Sequence, residues 1–185
     1  MTTREVSLPA ALSAPSVSWT RDTDVVVLGS GAAGLAAALA ARPVRDVLIV
    51  TKDTLDAGST AWAQGGLAAV FDPADTFAEH VRDTLDAGGG LCDENAVSSL
   101  VRDAPTAISY LEKLGAAFDP GADGLRALTR EGGHSRSRIV HAGGDQSGAE
   151  IQRTLDESAI NAGVEVLDHA FALDLVFGVA AGANA

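Results

Sequence analysis

Aromatic side chains make up only 4% of this chain, and it holds a single cysteine and a single methionine. Its apolar share is still 46%, carried largely by alanine, and glycine adds 20 residues. A core built from small residues packs backbone closely and leaves room for a group that is not protein, which suggests a cofactor fold. One cysteine excludes an internal disulfide and fits a reducing compartment. Cys92 lies beside Asp93 and Glu94, whose charges disfavour its thiolate, so it does not read as a nucleophile. Positive charge is also short, with 13 Lys and Arg against 25 Asp and Glu, a net charge of −12. Nucleic acid and anionic membranes both demand basic patches, so neither is an expected partner, and a solvated acidic surface is the plain reading. No apolar run approaches the ~18 residues of a membrane span. The first stretch, with Pro9 and Pro15, lacks the continuous apolar segment of a signal peptide. Residues 1–22 therefore read as a disordered or loosely attached tail, residues 23–185 as one domain, and the expected location is cytoplasmic. No metal centre is expected.

Residues 24–28 form a short β-branched run that reads as a buried strand. The glycine-rich segment Gly29-Ser30-Gly31-Ala32-Ala33-Gly34 follows at once, then an alanine–leucine helix over 35–42, stopped by Pro43. Residues 46–50 are a second buried strand, which makes β–turn–α–β and predicts a parallel pair with a right-handed crossover. A long loop of small residues, 53–66, has the length of a functional loop. Asp75 is expected to cap a helix with Phe77, Val81 and Leu85 inward, ended by Gly88, Gly89 and Gly90. A second amphipathic helix is expected over 94–114, with Leu100, Val101, Ala104, Ile108 and Leu111 inward and a kink or break at Pro105. Residues 125–141 concentrate Arg126, Arg130, Glu131, His134, Arg136, Arg138 and His141. A further helix over 147–161, with Ile151, Leu155 and Ala159 inward, and strands over 164–167 and 171–177 complete the pattern.

Gly29, Gly31 and Gly34 form G-x-G-x-x-G between a strand and a helix. The first glycine permits the tight turn, the second lets a pyrophosphate approach the backbone, and the third lets helix pack on strand. The helix N-terminus then offers free N–H groups and a positive dipole end to phosphate. A glycine-rich packing turn would explain the glycines, but not their place in the chain's first βαβ. The acid that usually meets the adenine ribose, about twenty residues on, is missing: the position reads Val50-Thr51-Lys52, with Asp53 one step late. The ribose contact must be made differently, or the fingerprint belongs to an unusual branch.

The succession GSGAAGL, LIVTK, GSTAWAQGGLAAV and LTREGGHSRSRIVHA resembles the succinate dehydrogenase and fumarate reductase flavoprotein superfamily, over nearly all of the chain from Asp24. The resemblance implies an α/β fold, a doubly wound Rossmann-like FAD-binding domain, incomplete at its C-terminus. It implies that Gly29, Ser30, Gly31, Ala32, Ala33 and Gly34 line the pyrophosphate and that Lys52 contacts the FAD. Ser59, Thr60, Ala61, Trp62, Ala63, Gln64, Gly65 and Gly66 would wrap the ribityl chain and the isoalloxazine edge. Gln64 serves equally well as a structural loop residue, and Trp62 as loop packing. In the dehydrogenase and reductase members a histidine before the A-x-Q-G-G element bonds covalently to the flavin. Ser59 stands near that place, so FAD is expected to be held non-covalently.

Glu131 occupies a position where dicarboxylate members carry a bulky apolar residue. A carboxylate repels succinate but attracts an α-ammonium, and this resembles the L-aspartate oxidase branch. The implied reaction takes L-aspartate to iminoaspartate, with oxygen or fumarate as acceptor. Its product feeds NAD biosynthesis, with quinolinate synthase as the implied downstream partner. From the residues alone, Glu131 equally suits an ion pair with Arg130 or Arg136. The branch's catalytic arginine, substrate histidines and capping domain have no counterpart in this sequence. The chain alone is therefore expected to be inactive and at best a weak FAD binder. A fumarate reductase or succinate dehydrogenase type of flavoprotein and a non-catalytic flavin-binding module stay open as alternatives.

Overall fold

The computed structural model describes residues 16–176. Most of the expected tail, residues 1–15, lies outside them, as do Phe177 and the small-residue end beyond it. Strand β1 (Val25–Leu28), helix α1 (Ala32–Ala41) and strand β2 (Val47–Val50) follow the sequence pattern. Strand β3 (Leu67–Ala68), helices α2 (Phe77–Ala87) and α3 (Glu94–Lys113), strand β4 (Ile139–Val140), helix α4 (Ser147–Asn161) and strand β5 (Glu165–Leu167) complete the described elements. A three-stranded parallel sheet runs in the order β1-β2-β5, with Val25 opposite Val47 and Leu48 opposite Glu165. This is the expected Rossmann-like α/β arrangement. β3 and β4 form a separate antiparallel ladder.

Alternation along β2 sends Val47 and Ile49 to one face, where they join Leu35 and Ala38 of α1 and Ile151, Leu155 and Ala159 of α4 in a single core. Each fully buried valine, leucine or isoleucine side chain there contributes roughly 1.5–3 kcal/mol relative to leaving it exposed. The helical spacing of α4 is as expected, and its N-terminal turn lies against the segment 59–63, where Gly148 N–H donates to Ala63 C=O at 3.1 Å. A smaller core of Ala69, Ile108 and Val140 joins α3 to the β3–β4 ladder.

The structure corrects several expectations. β1 is only half buried: Val26 and Leu28 are 54% and 51% exposed, because β1 is an edge strand of the sheet, whereas Leu48 on the central strand beside Val26 is buried. The cap of α2 is Thr76, whose hydroxyl accepts from Glu79 N–H at 3.1 Å, and its buried residue is His80 rather than Phe77. Asp75 is instead drawn into an ion pair with Arg138. Leu100 is 70% exposed, since the buried line of α3 runs through Val97, Val101 and Ile108. Pro105 does not interrupt α3, which runs unbroken over 20 residues. The hydrogen bonds of neighbouring turns carry it past the one N–H that proline lacks. Residues 171–176 form no strand, and their leucines Leu173 and Leu175 are exposed, without a neighbouring strand to pair with.

Candidate functional site

The turn between β1 and α1 is shaped by its glycines. Gly29 adopts φ +97°, in the left-handed region that glycine alone enters freely. A Cβ on Gly34 would lie 2.1 Å from the Gly29 carbonyl oxygen, so helix and turn can meet only without one. Helix α1 has no side-chain N-cap and no acid in its first turn, which leaves its positive end directed at the turn. The loop after β2 then folds back over it. Gly58 and Gly31 face one another, Ser59–Trp62 forms a 3₁₀ turn, and Ala32 N–H donates to Thr60 Oγ1 at 3.0 Å. Below the loop, Ser30 Oγ and Thr51 Oγ1 are hydrogen-bonded at 3.0 Å, and both residues are buried. Gln152 of α4 donates to the Ser30 carbonyl at 3.3 Å and to the Leu55 carbonyl at 3.4 Å, fastening both loops to one helix.

These contacts enclose a cleft of about 420 Å³ lined by Gly29, Ser30, Gly31, Lys52, Ser59 and Thr60, all singled out in the sequence. Ala32, Ala33 and Gly34 lie behind it in the first turn of α1, and Gln64, Gly65 and Gly66 continue away from it toward β3. Trp62 is 81% exposed and packs against little. The cleft has two further walls, the second of which the sequence did not signal. Asp53 stands beside Lys52, so the delayed acid does reach the cleft. Ala170, Phe171 and Ala172 close the far side, where Ala170 N–H donates to Thr51 C=O at 2.9 Å. A helix N-terminus with no acid in its first turn, a glycine turn open to close approach and one lysine on the rim fit the phosphates and adenosine end of a dinucleotide.

The second part of the site is the turn that carries Glu131. Gly65 adopts φ +77°, and a side chain there would come within 4.0 Å of both Glu131 carboxylate oxygens. Two segments far apart in sequence are thus brought face to face. On their other side, Gly66, Gly132, Gly133 and His134 border a cavity of about 550 Å³ that α2 lines with His80 and Thr84 and α3 with Leu100, Val101, Ala104 and Ile108.

The turn is anchored by Arg138, a fully buried guanidinium held bidentately by Asp75 at 2.6 and 2.9 Å. Its third nitrogen pairs with Asp83, whose carboxylate also accepts from Ser135 N–H at 2.8 Å and Ser135 Oγ at 2.7 Å. Hydrogen bonds from Arg138 and then Ser135 hold Asp83 far below the ordinary carboxylate range. At Asp75 burial opposes ionisation, yet Arg138 and the Thr76 N–H outweigh it and the carboxyl is held low. The cations concentrated at 125–141 are largely matched in this way: Arg126 pairs with Glu112 and Arg136 with Glu79. Glu131 lies near neither Arg130 nor Arg136 in the observed ion pairs; its partner is His141.

A parallel sheet opened by a G-x-G-x-x-G turn, with a cleft at the helix N-terminus, defines a dinucleotide-binding α/β domain. Residues 24–185 match the FAD binding domain family, FAD_binding_2, and the chain belongs to that family. L-aspartate oxidase of Streptomyces coelicolor is 51% identical over 166 residues, covering 89% of this chain and 29% of the relative. The chloroplastic L-aspartate oxidase of Arabidopsis thaliana is 44% identical over 173 residues, covering 93% of this chain and 26% of the relative. The chain thus spans under a third of the length of these relatives. Among solved structures, E. coli quinol fumarate reductase FrdA matches with a TM-score of 0.75 at 30% identity, over 80% of this chain and 26% of that one. Mycobacterium smegmatis Sdh1 in complex with UQ1 matches at 0.71 and 33% identity, over 80% and 27%. Among the described residues, no helix is long and apolar enough to cross a membrane.

Proposed function

We propose that this chain supplies the FAD-binding part of an L-aspartate oxidase that converts L-aspartate to iminoaspartate. Residues 23–185 are its FAD-binding domain. Gly29, Ser30, Gly31 and the first turn of α1 hold the pyrophosphate, with Lys52 alongside. The loop 59–66 passes under the ring system, with Gly65 and Gly66 allowing close approach. Ser59 takes the place of a covalent attachment point, so the FAD is held non-covalently and released by acid precipitation. When bound, the flavin would supply the hydride acceptor for the Cα hydrogen of L-aspartate, whose amino group gives up a proton as the imine forms. Oxygen or fumarate then takes up the two electrons, and the imine product passes to a quinolinate synthase in the cytoplasm.

The observation that carries this reading is the Glu131 carboxylate set against Gly65 on the A-x-Q-G-G loop. An anionic oxygen there attracts the α-ammonium of aspartate and opposes a second carboxylate, which favours the amino acid over succinate. The 51% identity to the Streptomyces relative supports the same assignment. The test is a chimera in which this chain replaces the segment it matches in that relative. Under anaerobic conditions L-aspartate should bleach the flavin absorbance and succinate should not, and Glu131→Gln should lower kcat/KM for aspartate about 10²-fold, the scale of a lost charge-assisted contact. Bleaching by succinate alone would move the chain to the dicarboxylate dehydrogenases.

A further inference from the structure

Glu131 projects from an irregular turn with its side chain 51% exposed. A carboxylate in that setting rotates freely unless a neighbour holds it, and an ammonium receptor gains from being held. One neighbour is in place. His141 Nε2 is hydrogen-bonded to Thr129 Oγ1 at 2.7 Å, and the same nitrogen lies 3.5 Å from Glu131 Oε1.

The imidazole is itself fixed from several sides. The His141 carbonyl accepts from Asp119 N–H at 2.7 Å. The Asp119 carboxylate accepts from Gly143 and Gly144 N–H at 2.9 and 3.0 Å, which closes the backbone just after the histidine. Thr129 is pinned to β4, its N–H donating to Ile139 C=O at 2.9 Å. The His141 side chain is only 15% exposed, and its Nδ1 is buried with no partner. An apolar side chain of similar volume would fill this space without leaving a nitrogen unsatisfied. The ring is therefore explained by what its other nitrogen does. The charged groups facing it are the two carboxylates, Glu131 and Asp119.

We propose that His141 is the positioning residue for Glu131. Fixed by its bond to Thr129, the ring stands 3.5 Å from Glu131 Oε1, keeps that oxygen over Gly65 and leaves Oε2 free to accept from a substrate ammonium. The proposal rests on the reading of Glu131 as the ammonium receptor.

The test uses the flavin-loaded chimera. His141→Asn shortens the side chain so that its amide falls short of Glu131, whereas His141→Gln places an amide N–H near the position of Nε2. Asparagine should raise the KM for L-aspartate about tenfold, glutamine should keep it within about threefold, and the dissociation constant of succinate, which has no ammonium, should change less than twofold in both. In the Glu131→Gln background the asparagine substitution should have no further effect on aspartate. Equal losses for aspartate and succinate, or an unchanged aspartate KM in His141→Asn, would overturn the proposal. If Glu131→Gln alone leaves the aspartate KM unchanged, the reading of Glu131 fails, and this proposal with it. If Glu131→Gln raises KM but His141→Asn does not, only the present proposal falls. Flavin occupancy is read from the absorbance ratio, and His141→Phe replaces the asparagine variant should that one lose its flavin.

Discussion

His80 shows how one buried side chain couples the site to pH. It is 5% exposed on α2, its Nδ1 has no partner, and its ring lies 5.6 Å from that of His134 on the Glu131 turn. Burial first, then the nearby positive charges of Arg138 and His134, push its pKa below the ordinary histidine value, against the smaller pull of Asp75 and Asp83. The unfolded chain therefore takes up a proton near pH ~6.5 that the folded protein still refuses. In that window the unfolded state binds more protons, so stability must fall as pH drops below it and recover as pH rises. Thermal melts between pH 7.5 and 5.5 should show this decline, and His80→Gln should flatten it. A parallel slope in the variant would remove His80 as the source. None of this was legible in the sequence, where His80 is a lone histidine on a helix. What makes it special is its burial and then Arg138, 58 positions away, whose partners Asp75 and Asp83 lie at separations of 63 and 55 residues. Glu131 was legible because its residue type departs from the branch it is compared with. Its histidine partner was visible only as one of several unassigned charges.

At the scale of elements, the sequence revealed what has a period. β1 and β2 fall where short apolar runs put them, α1 where alanine and leucine do and α4 where helical spacing does, and the phosphate turn between β1 and α1 was readable from three glycines. β3 and β4 are two residues each, too short to show a period, and they exist because they pair with one another. The cap of α2 was misplaced by one residue because Asp75 and Thr76 are both good caps, and a buried arginine elsewhere in the chain decided between them. Gly148 is a similar case. It reads as an ordinary helix residue, yet a Cβ there would lie 2.1 Å from Thr60 C=O and 2.5 Å from Ala63 C=O. Those carbonyls belong to backbone, which cannot swing aside as a side chain can. Gly148→Ala must push α4 away from the 59–63 turn, and with it the Gln152 contacts that fasten the phosphate turn. FAD affinity of the chimera should fall at least tenfold. Ala149→Ser, at an exposed position one step along the same helix, should leave it unchanged. Equal affinity in the alanine variant would show that the loop tolerates the shift and that this close approach does not set the site.

For the whole molecule, the question is how much of the site this chain holds together by itself. The core joining α1, β2 and α4 is closed, and the cleft at the helix N-terminus is built from it. Other surfaces are not closed. Val26 and Leu28 show an apolar sheet face beside the phosphate turn, and Leu100 stands at the rim of the 550 Å³ cavity bordering the Glu131 turn. Exposed apolar surface that is contiguous with a site commonly marks a place where more protein packs. The relatives are more than three times as long as the segment they share with this chain, so they have polypeptide available for that purpose. The chain alone should therefore bind a hydrophobic dye such as ANS and hold FAD weakly enough to lose it on gel filtration. The chimera should exclude the dye and elute with flavin in place. Aspartate oxidation should follow the same division, because hydride transfer needs a site from which water is excluded. Retention of stoichiometric FAD by the isolated chain, with no dye bound, would mean that these faces are finished surfaces. The Glu131 turn would then have to recognise its ligand without any help from the length found in the relatives.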